Sequence, residues 1–396
     1  MTMVRSRRLT PQGSLFLLAS ILVSFVAAST APTPLYGIYQ ARWHFSPVTT
    51  TTVFAVYAVA VLASLLTFGR LSDHVGRRPV LFVAIAIQVI SLLIFIFANG
   101  VPALLAARVV QGLAAGAATG AVGAAMLDIN RSRGTLANSI APGIGTGVGA
   151  LLSALLIQFL PAPTRLVYVV LLAILLIQGF AVALMPETVT PMKGALQSLR
   201  PEIKAPRAVR GALLVVTPVV FAVWALAGFF AALGPALVRA LMNSSIVAGG
   251  LVVFVFALFG SAAIVLLRNA AARAVMLTGI TALILGMIIT LLSVTARSIP
   301  GFFVGLALGG IGFGGGFQGS LKTVLPLAEA HQRAGVLSLL YIVCYVGFGL
   351  PTVIAGYLVV HGGGLPRTAN EYSVAVILLA LVALAGLSRA GGRSPG

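Results

Sequence analysis

Residues 69–80 read GRLSDHVGRRPV, and the chain on either side of them is nearly free of charge. The apolar run before this stretch covers about 48–69 and the run after it about 79–98. Each is close to the ~20 residues that a helix needs to cross a bilayer. Three arginines, an aspartate and a histidine packed between two such runs read as the hairpin loop joining two membrane spans. Gly69 and Gly76 are placed to let the chain reverse tightly there.

The same alternation continues in both directions. Twelve spans are expected, at about 14–38, 48–69, 79–98, 101–127, 136–160, 165–185, 211–234, 245–267, 273–294, 299–324, 335–360 and 371–390. With 60% hydrophobic and only 8% charged residues, the chain has too few charges to cover a water-soluble surface. Lipid-exposed backbone must satisfy its own hydrogen bonds, so every span is expected to be helical, and the alternating pattern of a β-barrel is absent. The expected fold is an all-α integral membrane protein. At the N-terminus, Arg5, Arg7 and Arg8 precede an apolar run, and Val26-Ala27-Ala28 resembles a signal cleavage site. The run from Ser14 to about Tyr36 is longer than a signal core, so an uncleaved first span is expected.

The formal net charge of +19 would suggest nucleic acid in a soluble chain. Here the basic residues sort by face instead. With the N-terminus inside, the cytoplasmic segments hold nineteen of the 25 Lys and Arg: Arg5, Arg7, Arg8, Arg70, Arg77, Arg78, Arg131, Arg133, Lys193, Arg200, Lys204, Arg207, Arg210, Arg268, Arg273, Lys322, Arg333, Arg389 and Arg393. The outer loops hold five, Arg42, Arg165, Arg239, Arg297 and Arg367, and Arg108 is left over. That bias predicts a multi-pass protein of a bacterial-type cytoplasmic membrane with both termini cytoplasmic, and no nucleic-acid partner.

The longest hydrophilic segment, 186–210, separates six spans from six. A six-helix bundle at 1–185, a cytoplasmic linker at 186–210 and a second bundle at 211–396 are expected, related by pseudo-symmetry. The halves echo each other in sequence. Gly112, Gly116, Gly120 and Gly123 in span four answer the glycine-rich span ten, and Phe68-Gly69 answers Phe259-Gly260. Glycines at this spacing let helix backbones approach closely.

Catalytic and nucleotide-driven chemistry has no footing. No G-x-x-x-x-G-K-[ST] run exists, and His44, His74, His331 and His361 are scattered over loops at both faces. The single cysteine, Cys344, excludes an internal disulfide. Neither an enzyme, a metal site nor a bound cofactor is expected.

Gly69, Leu71, Ser72, Asp73, Gly76, Arg77 and Arg78 resemble the loop signature between spans two and three of the major facilitator superfamily, with His74 where a basic residue is usual. Arg108-Val-Val-Gln111-Gly112 in span four resembles the R-x-x-Q-G signature of that superfamily's twelve-helix drug and metabolite efflux group, the proton antiporters. The span-five signature of antiporters is met only in part: Gly145 and Gly149 match, but Ala150 stands where proline is usual. The resemblance implies alternating access around a central cavity and a small-molecule substrate. It also implies proton-coupled export without a cofactor, and a charge latch of Asp73, Arg77 and Arg78, with Asp128 as a candidate partner. Asp73 is expected near the start of span eleven, whose helix dipole would favour a carboxylate. Organic-anion uptake, by symport or facilitated diffusion, is the alternative. A monomer working within the lipid bilayer is expected.

Arg108 is the most informative residue. An arginine at mid-membrane costs about 2.5–3.5 kcal/mol on insertion scales and normally faces the protein interior or a water-filled cavity. The six acidic residues, Asp73, Asp128, Glu187, Glu202, Glu329 and Glu371, all fall in loops or at helix ends by these boundaries. Arg108 is therefore expected to face the cavity and to take its counter-charge from a substrate carboxylate or another anion. A backbone carbonyl on span one is the structural alternative. Gln111, Tyr36 beside Pro32 and Pro34, Trp224 and Gln318 are the further cavity candidates, each also readable as packing. Gly112, Gly116, Gly120, Gly145 and Gly149 are read as packing glycines.

Overall fold

The computed structural model describes residues 8–242 and 245–391. Arg5, Arg7 and Arg393 lie outside them. The described residues form helices, 3-10 turns and loops. Helix α1 (Pro11–Thr30) runs through a 3-10 turn at Thr33–Leu35 into α2 (Tyr36–Trp43). There follow α3 (Pro47–Phe68), the short α4 (Leu71–Val75), α5 (Arg77–Ile96), α6 (Val101–Ile129), α7 (Arg131–Phe159) and α8 (Leu166–Leu184). A single turn, α9 (Ala195–Ser198), interrupts the segment between the halves. The second half holds α10 (Arg207–Ala232), α11 (Gly234–Met242), α12 (Ile246–Leu266), α13 (Ala272–Ala296), α14 (Ile299–Val324), α15 (Arg333–His361) and α16 (Leu365–Gly391). Twelve helical segments are long and apolar enough to cross a membrane, the first of them combining α1 and α2.

Local chemistry sets the ends. Thr10 accepts the amide of Gly13 and precedes Pro11, so α1 starts with a side-chain cap and a proline that needs no donor. Asn130 ends α6 and caps α7 by accepting from the Arg133 amide, so one residue makes the whole connection. Pro142, Pro218 and Pro351 sit inside α7, α10 and α15, where each removes a backbone donor and loosens the helix.

The packing repeats. In the first half α6 lies against α3 and α5, α1 against α7, and α5 against α8. In the second, α14 lies against α12 and α13, α10 against α15, and α13 against α16. The main contacts between the halves follow the same rule, α7 on α12 and α15 on α3. Glycine decides how close the helices come. A Cβ on Gly120 of α6 would lie 2.7 Å from the Gly69 carbonyl, and Gly314 of α14 abuts the Gly260 carbonyl in the same manner. The halves press together mainly toward the face opposite the basic loops. There Gly250 of α12 meets Ala150 and Ala154 of α7, Gly356 of α15 meets Thr51 of α3, and the Arg239 guanidinium lies over Gly37 of α2.

Several boundaries differ from the sequence reading. Residues 71–75 coil into α4, and Arg77 and Arg78 open α5 rather than sitting in a loop. Gly76 does use the left-handed region, at φ 102°, but Gly69 is helical, at φ −56°. Gly69 therefore serves the close approach of Gly120, not the reversal. Phe259-Gly260 lies inside α12 rather than at the mouth of a loop. Helix α16 begins at Leu365, six residues earlier than expected, so Glu371 lies in its second turn, paired with Arg367.

Candidate functional site

Three clusters gather the residues singled out in the sequence. The first surrounds Arg108, which the fold buries completely at 0% exposure. Its Nε and Nη2 donate to the Tyr36 hydroxyl at 3.1 and 2.8 Å, and Nη1 donates to the Ser29 carbonyl and to Gln111 Oε1, both at 2.7 Å. Gln111 completes the set by donating to the Ala28 carbonyl at 3.1 Å. The helix break explains why that carbonyl is available. Pro32 stands four residues after Ala28 and has no N–H to return. The guanidinium is boxed by rings, with Phe54 and Tyr57 at 5.2 Å, Phe95 at 5.8 Å and Tyr36 at 5.9 Å from its carbon.

Arg108 thus takes neutral oxygens and aromatic faces as partners, not an open cavity. The expected exposure to a cavity is replaced by the carbonyl contact on span one. The physical reason is reach: one turn of α6 places Arg108 and Gln111 opposite two carbonyls at the frayed end of α1. Phe54, Tyr57 and Phe95 were not anticipated, and no sequence spacing links them to Arg108.

The second cluster lies in the other half. Trp224 of α10 is half-buried among Phe313 and Phe317 of α14 and Tyr345 and Phe348 of α15, with centroids 5.4–6.3 Å from its own. Its indole N–H is buried without a hydrogen-bond partner. Gln318 ties α14 to α12 through the Ile264 carbonyl at 3.0 Å, which leaves its own Oε1 unpartnered. Phe54 bridges the two clusters, being a wall of the Arg108 box and 6.5 Å from Phe348.

The third cluster sits on the basic face. Arg77, 5% exposed, donates to Asp128 at 3.1 Å, to Ser72 at 2.8 Å and to Asp73. The partner of Asp73 is therefore Arg77, one turn away in the same half, rather than the start of α15. Arg78 points elsewhere and holds the Ala183 carbonyl at the end of α8, at 2.7 Å. Glu187 accepts from the amides of Arg77 and Arg78 at 2.9 and 3.1 Å, a carboxylate on the positive end of α5. Thr188 adds a bond to Asp128 at 3.1 Å. Farther along the linker, Glu202 pairs with Arg70, and His74 meets the Lys193 carbonyl at 3.0 Å. Glu187 and Thr188 were missed; a carboxylate directly after the proline that ends span six was the available signal.

The packing glycines lie at helix crossings. Gly112 and Gly116 face Tyr57, Ala60, Val61 and Ser64 of α3, and Gly145 and Gly149 face Val23 and Ala27 of α1. Ala150 is fully buried on the α12 side of α7, with its carbonyl toward Gly250.

Twelve apolar spans in a repeated packing arrangement, with a buried arginine among the first six and an aromatic cluster among the last six, define a multi-pass membrane protein. Residues 16–270, well over half of the chain, match the family described as Major Facilitator Superfamily, and the chain belongs to it. Solved structures share the fold along nearly the whole length. A bacterial homolog of the human lysosomal transporter Spinster, in an inward-facing and occupied conformation, aligns with TM-score 0.73 at 14% identity, covering 96% of each chain. The nucleoside transporter NupG aligns with TM-score 0.71 at 12% identity, covering 96% of this chain and 98% of its own. The human organic anion transporter MFSD10 (TETRAN) aligns with TM-score 0.63 at 17% identity, covering 95% and 100%. In sequence, an uncharacterized transporter of Rickettsia bellii is 40% identical over 74 residues, and one of Rickettsia felis is 44% identical over 73. Each match covers 18% of this chain and 18% of the relative. The protein is a membrane transporter, not an enzyme.

Proposed function

We propose that this protein exports small organic molecules, drugs or metabolites, across a bacterial cytoplasmic membrane, driven by the proton gradient. The observation that carries this reading is the cluster of rings around Trp224. Four aromatic rings surround a fifth, and the Trp224 N–H is buried there without a hydrogen-bond partner. Such a wall suits an apolar body bearing one or two polar groups, the chemistry of an exported drug or metabolite. The R-x-x-Q-G resemblance at Arg108, Gln111 and Gly112 supports the same assignment.

In this reading residues 1–185 and 211–396 are two units that rock about the central site, joined by 186–210. The basic face is cytoplasmic and carries both termini, following the positive-inside bias. The tight contacts on the opposite face are then the closed outer gate. The cluster of Gly69, Asp73, Gly76, Arg77, Arg78 and Asp128 acts as the latch that re-forms between states. The protein works as a monomer in the bilayer and uses the proton gradient without a cofactor.

Organic-anion uptake is the second reading. It is favoured by the positive charge of Arg108, which has no carboxylate partner, and by Ala150 in place of proline. A substrate panel in everted vesicles and intact cells, with and without a pH gradient, separates the two. Accumulation in everted vesicles that collapses with the gradient, and that Trp224→Ala reduces at least about tenfold, supports export. Uptake by intact cells that is indifferent to pH overturns it.

A further inference from the structure

Where α2, the end of α5 and the start of α8 meet, the surface opens into a pocket of about 140 Å³ on the face opposite the basic loops. Its rim carries Arg42 and Arg165, and Tyr39, Trp43 and Phe95 build its wall. Trp43 lies flat on Tyr39, with centroids 4.7 Å apart and planes within 4°. Tyr39 is fixed from behind, its hydroxyl 3.3 Å from that of Tyr168.

The charge in this corner has one sign. Neither Arg42 nor Arg165 enters any of the ion pairs among the described residues. Asp73, Asp128, Glu187, Glu202 and Glu329 lie at the opposite face, and Glu371 is bound to Arg367 in the other half. A third cation stands one ring behind the wall. The guanidinium carbon of Arg108 is 5.8 Å from the centroid of Phe95, whose ring also lines the pocket. Helix α8 starts at Leu166 beside this pocket and adds the positive end of its dipole. The carbonyl end of α5 opposes these with about half a charge. Fixed cations behind low-dielectric walls focus a positive potential into the cleft. The size bounds the ligand, since a cavity of about 150 Å³ holds one benzene ring.

We infer that this pocket binds a small monovalent anion, a halide or a short carboxylate, between the guanidiniums of Arg42 and Arg165. The site shares no residue with the Trp224 cluster and does not rest on the direction or coupling of transport.

The chain supplies its own reporter, because it has only two tryptophans. In purified Trp224→Phe protein in nonionic detergent, Trp43 is the sole indole and sits in the pocket wall. Iodide, titrated at constant ionic strength, is the probe, with chloride and acetate as competitors. The expected result is saturable quenching of Trp43 that chloride or acetate reverses. The double variant R42Q/R165Q should weaken apparent iodide affinity at least about tenfold, through loss of two charge-assisted contacts. Both arginines are exposed, so the variant keeps the core intact, and an unchanged melting temperature checks this. Reversal by chloride alone identifies a halide site, and reversal by acetate as well admits carboxylates. Quenching that rises linearly without saturation, or saturable quenching unchanged in R42Q/R165Q, overturns the inference.

Discussion

At the residue scale, Arg108 shows how a guanidinium is held inside the helical bundle without an acidic partner. Its donors meet a phenol, an amide oxygen and a backbone carbonyl, and four rings cover its faces. Lysine keeps the charge but cannot fork to Tyr36, Ser29 and Gln111 together. Arg108→Lys is therefore expected to fold and insert, while its transport falls at least about tenfold in a vesicle assay. Arg108→Ala also leaves buried acceptors unsatisfied, each worth about 1–3 kcal/mol, and should lower the melting temperature as well. Normal transport in both variants would refute a role for Arg108 in the cycle. Arg77 is a separate case, because its carboxylate partners Asp73 and Asp128 remain partly hydrated while Ser72 is buried. Arg77→Gln should cost about 1–3 kcal/mol in thermal or denaturant unfolding, with most of the loss from Asp128 and Ser72.

At the element scale, the glycine rows set the distances between helices. A side chain at Gly116 would meet Ser64 Cβ at 2.5 Å and the Val61 carbonyl at 2.7 Å, so α6 would have to leave α3. Gly116→Leu is expected to destabilise the protein by about 1–3 kcal/mol or more, read as a drop in melting temperature in detergent. Gly211 is a fair control, since a Cβ there meets nothing within 4 Å. The helix ends tell the same story with polar groups. Lys322, in the last turn of α14, donates to the carbonyls of Leu267, Arg268 and Ala270 at 2.7–3.2 Å and so caps the end of α12. Asp128 stands eight residues after Gly120, and Lys322 eight after Gly314, so the repeated frame carries opposite charges at matched places.

At the scale of the whole molecule, the halves meet by two related contacts, α3 with α15 and α7 with α12. Near the end of the first that lies away from the basic loops, Thr51 Cβ is 3.0 Å from where a Cβ on Gly356 would lie. Cysteines at these two positions in a Cys344→Ser background should crosslink on oxidation and stop transport, and a reductant should restore it. Free transport by the oxidised, crosslinked protein would mean that this face does not need to open. The number, order and class of the spans were legible in the sequence, because a bilayer demands long apolar runs and the loops between them carry the charge. The neighbours of Arg77 were legible in part, through the loop pattern and Asp128. The box around Arg108 was not, since Phe54, Tyr57 and Phe95 come from α3 and α5, and apolar runs look alike whichever way a ring points.

Composition and spacing alone therefore determined that this chain is a multi-pass membrane protein with twelve runs long and apolar enough to cross, and that one arginine lies within them unmatched by any acid. These follow from solvation, which each segment settles by itself. Only the tertiary structure decided what answers Arg108: the Tyr36 hydroxyl, the Ser29 carbonyl and Gln111 in place of an acid, with Gln111 held in turn by the Ala28 carbonyl that Pro32 leaves open. It also decided that Glu187 of the linker caps α5, and that Arg42 and Arg165 share one pocket. Each of these depends on how helices distant in sequence turn toward one another, and that orientation is set by close packing of the whole bundle rather than by any single segment.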